Sequence, residues 1–180
     1  MDNLRGQLLI AGAALFDPNF RRTVILVGEH NDEGALGVVL NRPTGVSVAD
    51  AVPPLRSLVG PEDRIFVGGP VQPQSPVILA EFERPDDAGV LAFGSVGFLT
   101  GEVEAGAAET VRRARVFAGY AGWGPGQLEA ELQESSWIVE PAFPEDVFTE
   151  DPEGLWTRVL RRKGGDYRLL ALMPLDPSSN

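Results

Sequence analysis

His30 stands between Glu29 and Asn31 and is the single histidine of the 180-residue chain. An imidazole beside a carboxylate has the parts of a general base, but the chemistry needs partners. The chain has no G-x-S-x-G serine elbow, no second histidine for a zinc pair and no calcium-loop spacing, and it contains no cysteine to act as nucleophile or thiolate ligand. The first expectation for a lone histidine at a turn is therefore a hydrogen-bonding structural role, with a general base as the second. Carboxylates are plentiful but scattered, so spacing assigns no acid–base pair. No catalytic residue, metal ligand or cofactor is expected, and a non-enzyme is favoured over an enzyme.

The second constellation is VFAGYAGWGPGQLEAEL, Val116 to Leu132. Val116, Phe117, Ala118 and Tyr120 suit a buried strand, and Gly119, Gly122, Gly124 and Gly126 permit backbone conformations that a Cβ forbids. An amphipathic helix follows, with Gly124 expected as N-cap, Pro125 at its first position, Gln127 reaching back toward the cap amide, and Leu128 and Leu132 forming an apolar stripe. A glycine turn feeding a helix start is the geometry that gathers anions. Here the order departs from the dinucleotide fingerprint, no Gly-Lys-Ser/Thr follows, and Glu129 already brings negative charge to the first turn, so a structural turn is the leading reading. Trp123, Trp137 and Trp156 are expected in the core, with Trp123 the one placed to line a groove.

One domain accommodates 180 residues, and the span 1–180 is expected to be a single unit with a mobile tail from about Pro174. The composition, 43% hydrophobic and 23% charged, is that of a globular protein, and no apolar run approaches a membrane span. With no disulfides to form, the expected compartment is the cytoplasm. The net charge is -11, and no lysine or arginine occurs between Arg115 and Arg158. That field repels phosphate backbones, which argues against direct nucleic-acid binding. Two basic clusters, Arg112, Arg113 and Arg115 and then Arg161, Arg162 and Lys163, are expected near helix C-termini, where cations complement the dipole.

The elements that must position these residues are mostly strands. Gln7 to Ala11 reads as the first. Thr23 to Glu29 and Ala35 to Leu40 are apolar on both faces and form a central hairpin around the turn Asn31 to Gly34. Asn41-Arg42-Pro43 ends it, a capping-box-like Ser47 and Asp50 start a short helix, and Leu55 to Val59 adds a helical turn. Ile65 to Val67 runs into Gly68-Gly69, a pair that implies close backbone approach or a positive φ. Val77 to Phe82 and Val90 to Phe93 are further strands, and Val103 to Arg113 reads as a helix. Trp137 to Val139 is a strand and Pro144 to Phe148 a helical turn. The last helix is capped by Asp151, opens on Pro152 and stops at Gly164, and Tyr167 to Leu172 is expected as an edge strand.

Four motifs, GQLLIA at Gly6 to Ala11 with DPNFRRTV at Asp17 to Val24, EHNDEGALGVVLNRP at Glu29 to Pro43, VGGPVQ at Val67 to Gln72 and GYAGWGPGQLEAEL at Gly119 to Leu132, give a chain that resembles the AlgH/YqgE family of bacterial proteins. The resemblance implies an α+β fold in which a mixed, bifurcated β-sheet curls into a pseudo-barrel with helices packed outside. Its members commonly carry the label of transcriptional regulator. Many relatives carry a cysteine where this chain has Gly28, so a family role for a reactive thiol would not extend here. Carried onto matching positions, the residues of interest are Glu29, His30, Asn31, Asn41, Arg42, Gly68, Gly69, Tyr120, Trp123, Gln127 and Glu131.

Three functions compete. The favoured one is a non-catalytic regulatory or interaction protein acting through a protein partner. The alternative is a small-molecule or anion binder, or an enzyme, that uses a groove between the His30 hairpin tip and the Gly122 to Gly126 turn. Direct DNA regulation comes third.

Overall fold

The computed structural model describes residues 3–13, 15, 17–99 and 110–173. Ten strands are described: β1 Gln7–Ala11, β2 Val24–Asn31, β3 Gly34–Val39, β4 Pro43–Ser47, β5 Arg64–Val67, β6 Val71–Phe82, β7 Val90–Phe93, β8 Val96–Phe98, β9 Val111–Trp123 and β10 Trp137–Pro141. The helices are short: α1 Val48–Ala51, α2 Gln127–Gln133, α3 Pro144–Val147, α4 Leu155–Lys163 and α5 Tyr167–Ala171.

The hydrogen-bonded path runs β10-β1-β2-β3-β9-β6-β8-β7. It is antiparallel throughout, while β5 pairs in parallel with β9 and antiparallel with β4, so the fold is a mixed, strand-dominated α+β. β9 is the hub. Its C-terminal residues Ala121 to Trp123 pair with β3, its middle with β5, and most of its length with β6. Where β3 and β9 part, the chain after β5 wedges between them. The Gly68 N–H donates to Ala118 O at 2.9 Å, and Gly68 O accepts the Val39 N–H at 2.8 Å. A Cβ on Gly68 would stand 2.2 Å from Gly119 O, which is why the wedge requires glycine. No pairing joins β7 to β10 among the described strands, so the sheet is open and branched and the path does not close into a barrel.

Strands apolar on both faces need cover on both. Leu8, Ile10, Val24 and Leu26 face one core, roofed by Leu155, Trp156, Val159 and Leu160 of α4. Leu9, Ala11, Ile25 and Val27 face the other, with Trp123, Leu128 and Trp137. The Trp156 indole donates to Ala11 O at 3.0 Å, tying α4 to β1. A third cluster gathers Val48, Leu55 and Leu58 over Ile78 and Val116.

Several expectations are corrected. Val111 to Arg113 belong to strand β9, paired with Glu81 and Phe82 of β6, while positions 103–109 of the expected helix lie outside the described residues, as does the tail from Pro174. Arg112, Arg113 and Arg115 therefore lie on a strand rather than at a helix end. In place of an edge strand over Tyr167 to Leu172 the structure has helix α5, Tyr167–Ala171, with Leu172 as its C-cap. Its Tyr167, Leu170 and Ala171 recur at i, i+3 and i+4 and pack on the core, while Leu169 and Leu172 face water at 68% exposure. A 3₁₀ turn, Pro53–Leu55, precedes the expected turn at 55–59, where the Leu58 N–H donates to Leu55 O at 3.0 Å. Ser47 precedes α1 as expected but makes no side-chain cap.

Candidate functional site

β2 and β3 meet at a two-residue turn, with Asn31 paired to Gly34. The register of the pair slips between Val27 and Glu29, leaving Gly28 as a bulge. A bulge re-aims the side chains beyond it, and here it sends Glu29 outward and His30 inward to 6% exposure. The fit at Gly28 is tight, since a Cβ there would lie 2.6 Å from the Phe98 ring.

Inside, both ring nitrogens of His30 are taken. Nδ1 accepts the Leu4 N–H at 3.0 Å, which places the proton on Nε2, and Nε2 donates to Glu129 Oε1 on α2. With both nitrogens committed within the chain, His30 has no free lone pair for a substrate. Its side-chain hydrogen bond holds the Glu129 carboxyl below its usual range, with a backbone bond adding to the effect. A group whose folded pKa is depressed contributes stability above its unfolded value and loses it as pH falls through the folded value. His30→Ala is thus expected to cost about 2 kcal/mol near neutral pH, from the orphaned Leu4 amide and the lost carboxylate bond. The gap from the wild type should narrow on acidification below the ordinary 4.5 of a glutamate. Urea unfolding at pH 7 and pH 3.5 measures both; a gap that is the same at the two pH values would contradict the coupling.

The glycine turn is built differently from the expectation. The helix N-cap is Gly126, at φ +74°, so α2 begins at Gln127 rather than at Pro125. Gln127 does reach back, its Oε1 accepting the Gly124 N–H at 3.0 Å. Its Nε2 donates to Glu131 Oε2 at 3.0 Å, and Glu131 Oε1 receives the indole N–H groups of Trp123 at 3.2 Å and Trp137 at 2.9 Å. One carboxylate thus collects three side-chain donors. The two indoles meet edge to face with centroids 6.1 Å apart. The Gly124 amide, the donor an anion would need, is already occupied.

The hairpin tip and the glycine turn do lie side by side. Ala35 pairs with Trp123, and a Cβ on Gly34 would stand 2.1 Å from Trp123 O. Three separate hollows result. One of about 510 Å³ is lined by Asn3, His30, Asn31, Asp32, Gly126 and Glu129. A smaller one of about 190 Å³ runs along Glu29, Asn31, Glu33 and Trp123. A third, about 230 Å³, joins Trp123, Gln127, Glu131 and Trp137.

Other residues of the expected set lie elsewhere. Asn41 and Arg42 are at the far end of the hairpin, about 23 Å from its tip at 3.3 Å per strand residue. Asn41 pins the start of β2, its Oδ1 accepting the Val24 N–H and its Nδ2 donating to Arg22 O. Arg42 donates to Asn19 O and Arg21 O, and burial lowers its pKa. Both positions serve the 17–22 loop. Gly68 and Gly69 form the wedge at the branch of the sheet, and Tyr120 lines a different cavity from His30. Glu129, absent from the expected set, is the residue that joins the two halves of the site; its place one helical turn ahead of Gln133 on α2 carries no mark in the sequence of what it contacts. Among the described residues no cluster of histidine and carboxylate side chains is arranged to hold a metal ion.

Several basic side chains are also spent internally. Arg113 forms ion pairs with Glu81 and Glu145, whose hydrogen bonds raise its pKa, Glu145 contributing first. Arg115 donates to Val147 O and Thr149 O, and Arg162 clasps the buried Asp146 at 2.8 and 2.9 Å.

Fold and site together define a strand-dominated α+β domain whose lone histidine is a structural bridge. A family model described as DUF179, AlgH-like, matches residues 8–168, and the chain belongs to that AlgH/YqgE family. A UPF0301 protein of Streptomyces coelicolor is 44% identical across 100% of this chain and 97% of its own length. A UPF0301 protein of Mycobacteroides abscessus is 45% identical, covering 97% of this chain and 87% of its own. Among solved structures, protein DIP2367 from Corynebacterium diphtheriae superposes with a TM-score of 0.86 at 28% identity, over 96% of this chain and 94% of that one. The AlgH protein from Pseudomonas aeruginosa superposes at 0.70 with 32% identity, over 96% and 95%. No helix among the described residues is long and apolar enough to cross a membrane.

Proposed function

We infer that the chain is a non-catalytic, cytoplasmic interaction protein that works through a protein partner. The observation that carries this reading is the commitment of His30: one nitrogen serves the backbone and the other a carboxylate, so the single side chain suited to proton transfer near pH 7 has a structural job. The surface left around it is acidic. Asp32 and Glu33 are exposed at the hairpin tip, beside Glu29 and close to Glu129 on α2. Such a surface suits a basic segment of a partner protein. The curl of the sheet brings β7 beside β2, which favours the pseudo-barrel description of this family, and the regulator label then describes an effect exerted through the partner.

Affinity capture from the native host with the full chain is expected to retain a reproducible partner at low salt, and an Asp32→Lys/Glu33→Lys double variant is expected to lose it. Equal capture by both would remove the assigned surface. Direct DNA binding is disfavoured by the net charge and by the internal ion pairs of Arg113 and Arg162. An anion at the glycine turn is disfavoured by the occupied Gly124 amide and the neighbouring Glu129 and Glu131.

A further inference from the structure

On the side of the sheet away from the His30 hollow, a separate cavity of about 510 Å³ opens where six strands converge. β2, β3, β9, β6, β8 and β7 each contribute to its wall, and Val52 and Leu55, from the end of α1 and the turn after it, also line it. Its surface is dominated by Leu36, Ile78, Phe98 and their aliphatic neighbours, and its volume is in the range that holds a small organic ligand.

Two polar side chains break the apolar lining, Glu29 and Tyr120. Neither is used by the fold. Glu29 is in no ion pair among the described residues, and its one hydrogen-bond partner is the Asn31 amide at 3.5 Å. The Tyr120 hydroxyl makes no hydrogen bond among the described residues. The bulge at Gly28 is what swings Glu29 to this side, and the absent Cβ at Gly28 leaves room for the Phe98 ring that floors the cavity. An apolar cavity with one exposed, unpaired carboxylate and one free phenol at its wall suits a ligand with an apolar body and a cationic hydrogen-bonding end.

We propose that this cavity is a binding site for a small hydrophobic amine, with Glu29 receiving the ammonium, Tyr120 accepting a second hydrogen bond, and the Leu36, Ile78 and Phe98 walls enclosing the apolar body. The site meets the acidic hairpin-tip surface assigned above to a protein partner at Glu29, while Asp32 and Glu33 lie outside its lining.

The test is calorimetric titration of the full chain with three probes of one shape: 1-naphthylmethylamine, 1-naphthalenemethanol and 1-naphthylacetic acid. The expected order is amine, then alcohol, then acid, with the amine binding one to one and about tenfold more tightly than the acid, the size of preference that one partly exposed carboxylate supplies. Glu29→Gln, a change at an exposed position, is expected to bring the amine within about twofold of the alcohol while leaving the alcohol unchanged. Val90→Trp, also at an exposed wall position, is expected to abolish all three by filling the chamber, and amide shifts at Gly28 and Tyr120 on adding the amine locate the site without any substitution. No binding by any probe, an acid as tight as the amine, or amine binding untouched by both variants would overturn the proposal.

Discussion

Gly69→Ala is expected to remove a large share of the stability of the folded state. Gly69 has φ +154°, and a Cβ there would lie 2.1 Å from the carbonyl carbon of Tyr120 and 2.4 Å from the Ala121 nitrogen, all backbone of the hub strand. No rotamer relieves a contact with backbone, so β5 or β9 must withdraw. Withdrawal breaks the Gly68 bonds to Ala118 O and to the Val39 N–H, which hold the branch of the sheet together. Orphaning those groups at about 1–3 kcal/mol each and adding a strained φ gives a loss on the order of 4 kcal/mol or more. That is a large share of the 5–15 kcal/mol, roughly, by which a domain is stable. Gly68→Ala should behave alike, its Cβ being 2.2 Å from Gly119 O, whereas Gly45→Ala, with nothing within 4 Å, is the control. Soluble yield and urea midpoints measure the series; a Gly69→Ala protein as stable as Gly45→Ala would refute the wedge.

Glu131→Ala is expected to cost about 3 kcal/mol, because it strips the acceptor from two indole N–H groups at once. Trp123 and Trp137 are 7% and 4% exposed, so water does not readily replace the carboxylate. Glu131→Gln should cost less, about 1 kcal/mol, since one amide oxygen still accepts while the amide N–H faces the Gln127 donor. Trp123 and Trp137 report on their own surroundings, so urea unfolding followed by tryptophan fluorescence reads both variants directly. A Glu131→Ala protein within about 0.5 kcal/mol of the wild type would mean that the indoles find other acceptors.

Local signals determined a good part of this chain. The two apolar faces of TVILVGE and ALGVVL announced a strand pair covered on both sides, and the structure supplies a core on each. Asp151-Pro152 and Gly164 bracketed α4 and the 3₁₀ turn Pro152–Gly154 that leads into it, because capping and positive φ depend on a few adjacent residues; Asp151 accepts the Gly154 N–H and Gly164 sits at φ +82°. The need for glycine at Gly68 and Gly69 was also visible, though not the strand that crowds them.

Tertiary structure decided what depends on register. Arg112 and Arg113 belong to a strand because β6 offers a partner, with Glu81 opposite Arg113 in the ladder and bonded to it through the side chains, a pairing 32 residues away in sequence that no local periodicity contains. Tyr167 to Leu172 is helical because its i, i+3, i+4 face meets the core, where an alternating strand would have buried Leu170 and Leu172 together. A single bulge at Gly28 turned His30 into the core and Glu29 toward the cavity, and only that turn made one a structural bridge to Leu4 and Glu129 and left the other a free carboxylate. Residue types are set by the chain, but their chemistry follows from which groups the fold brings within hydrogen-bond distance, and in this protein those partners lie 26 and 99 positions from His30.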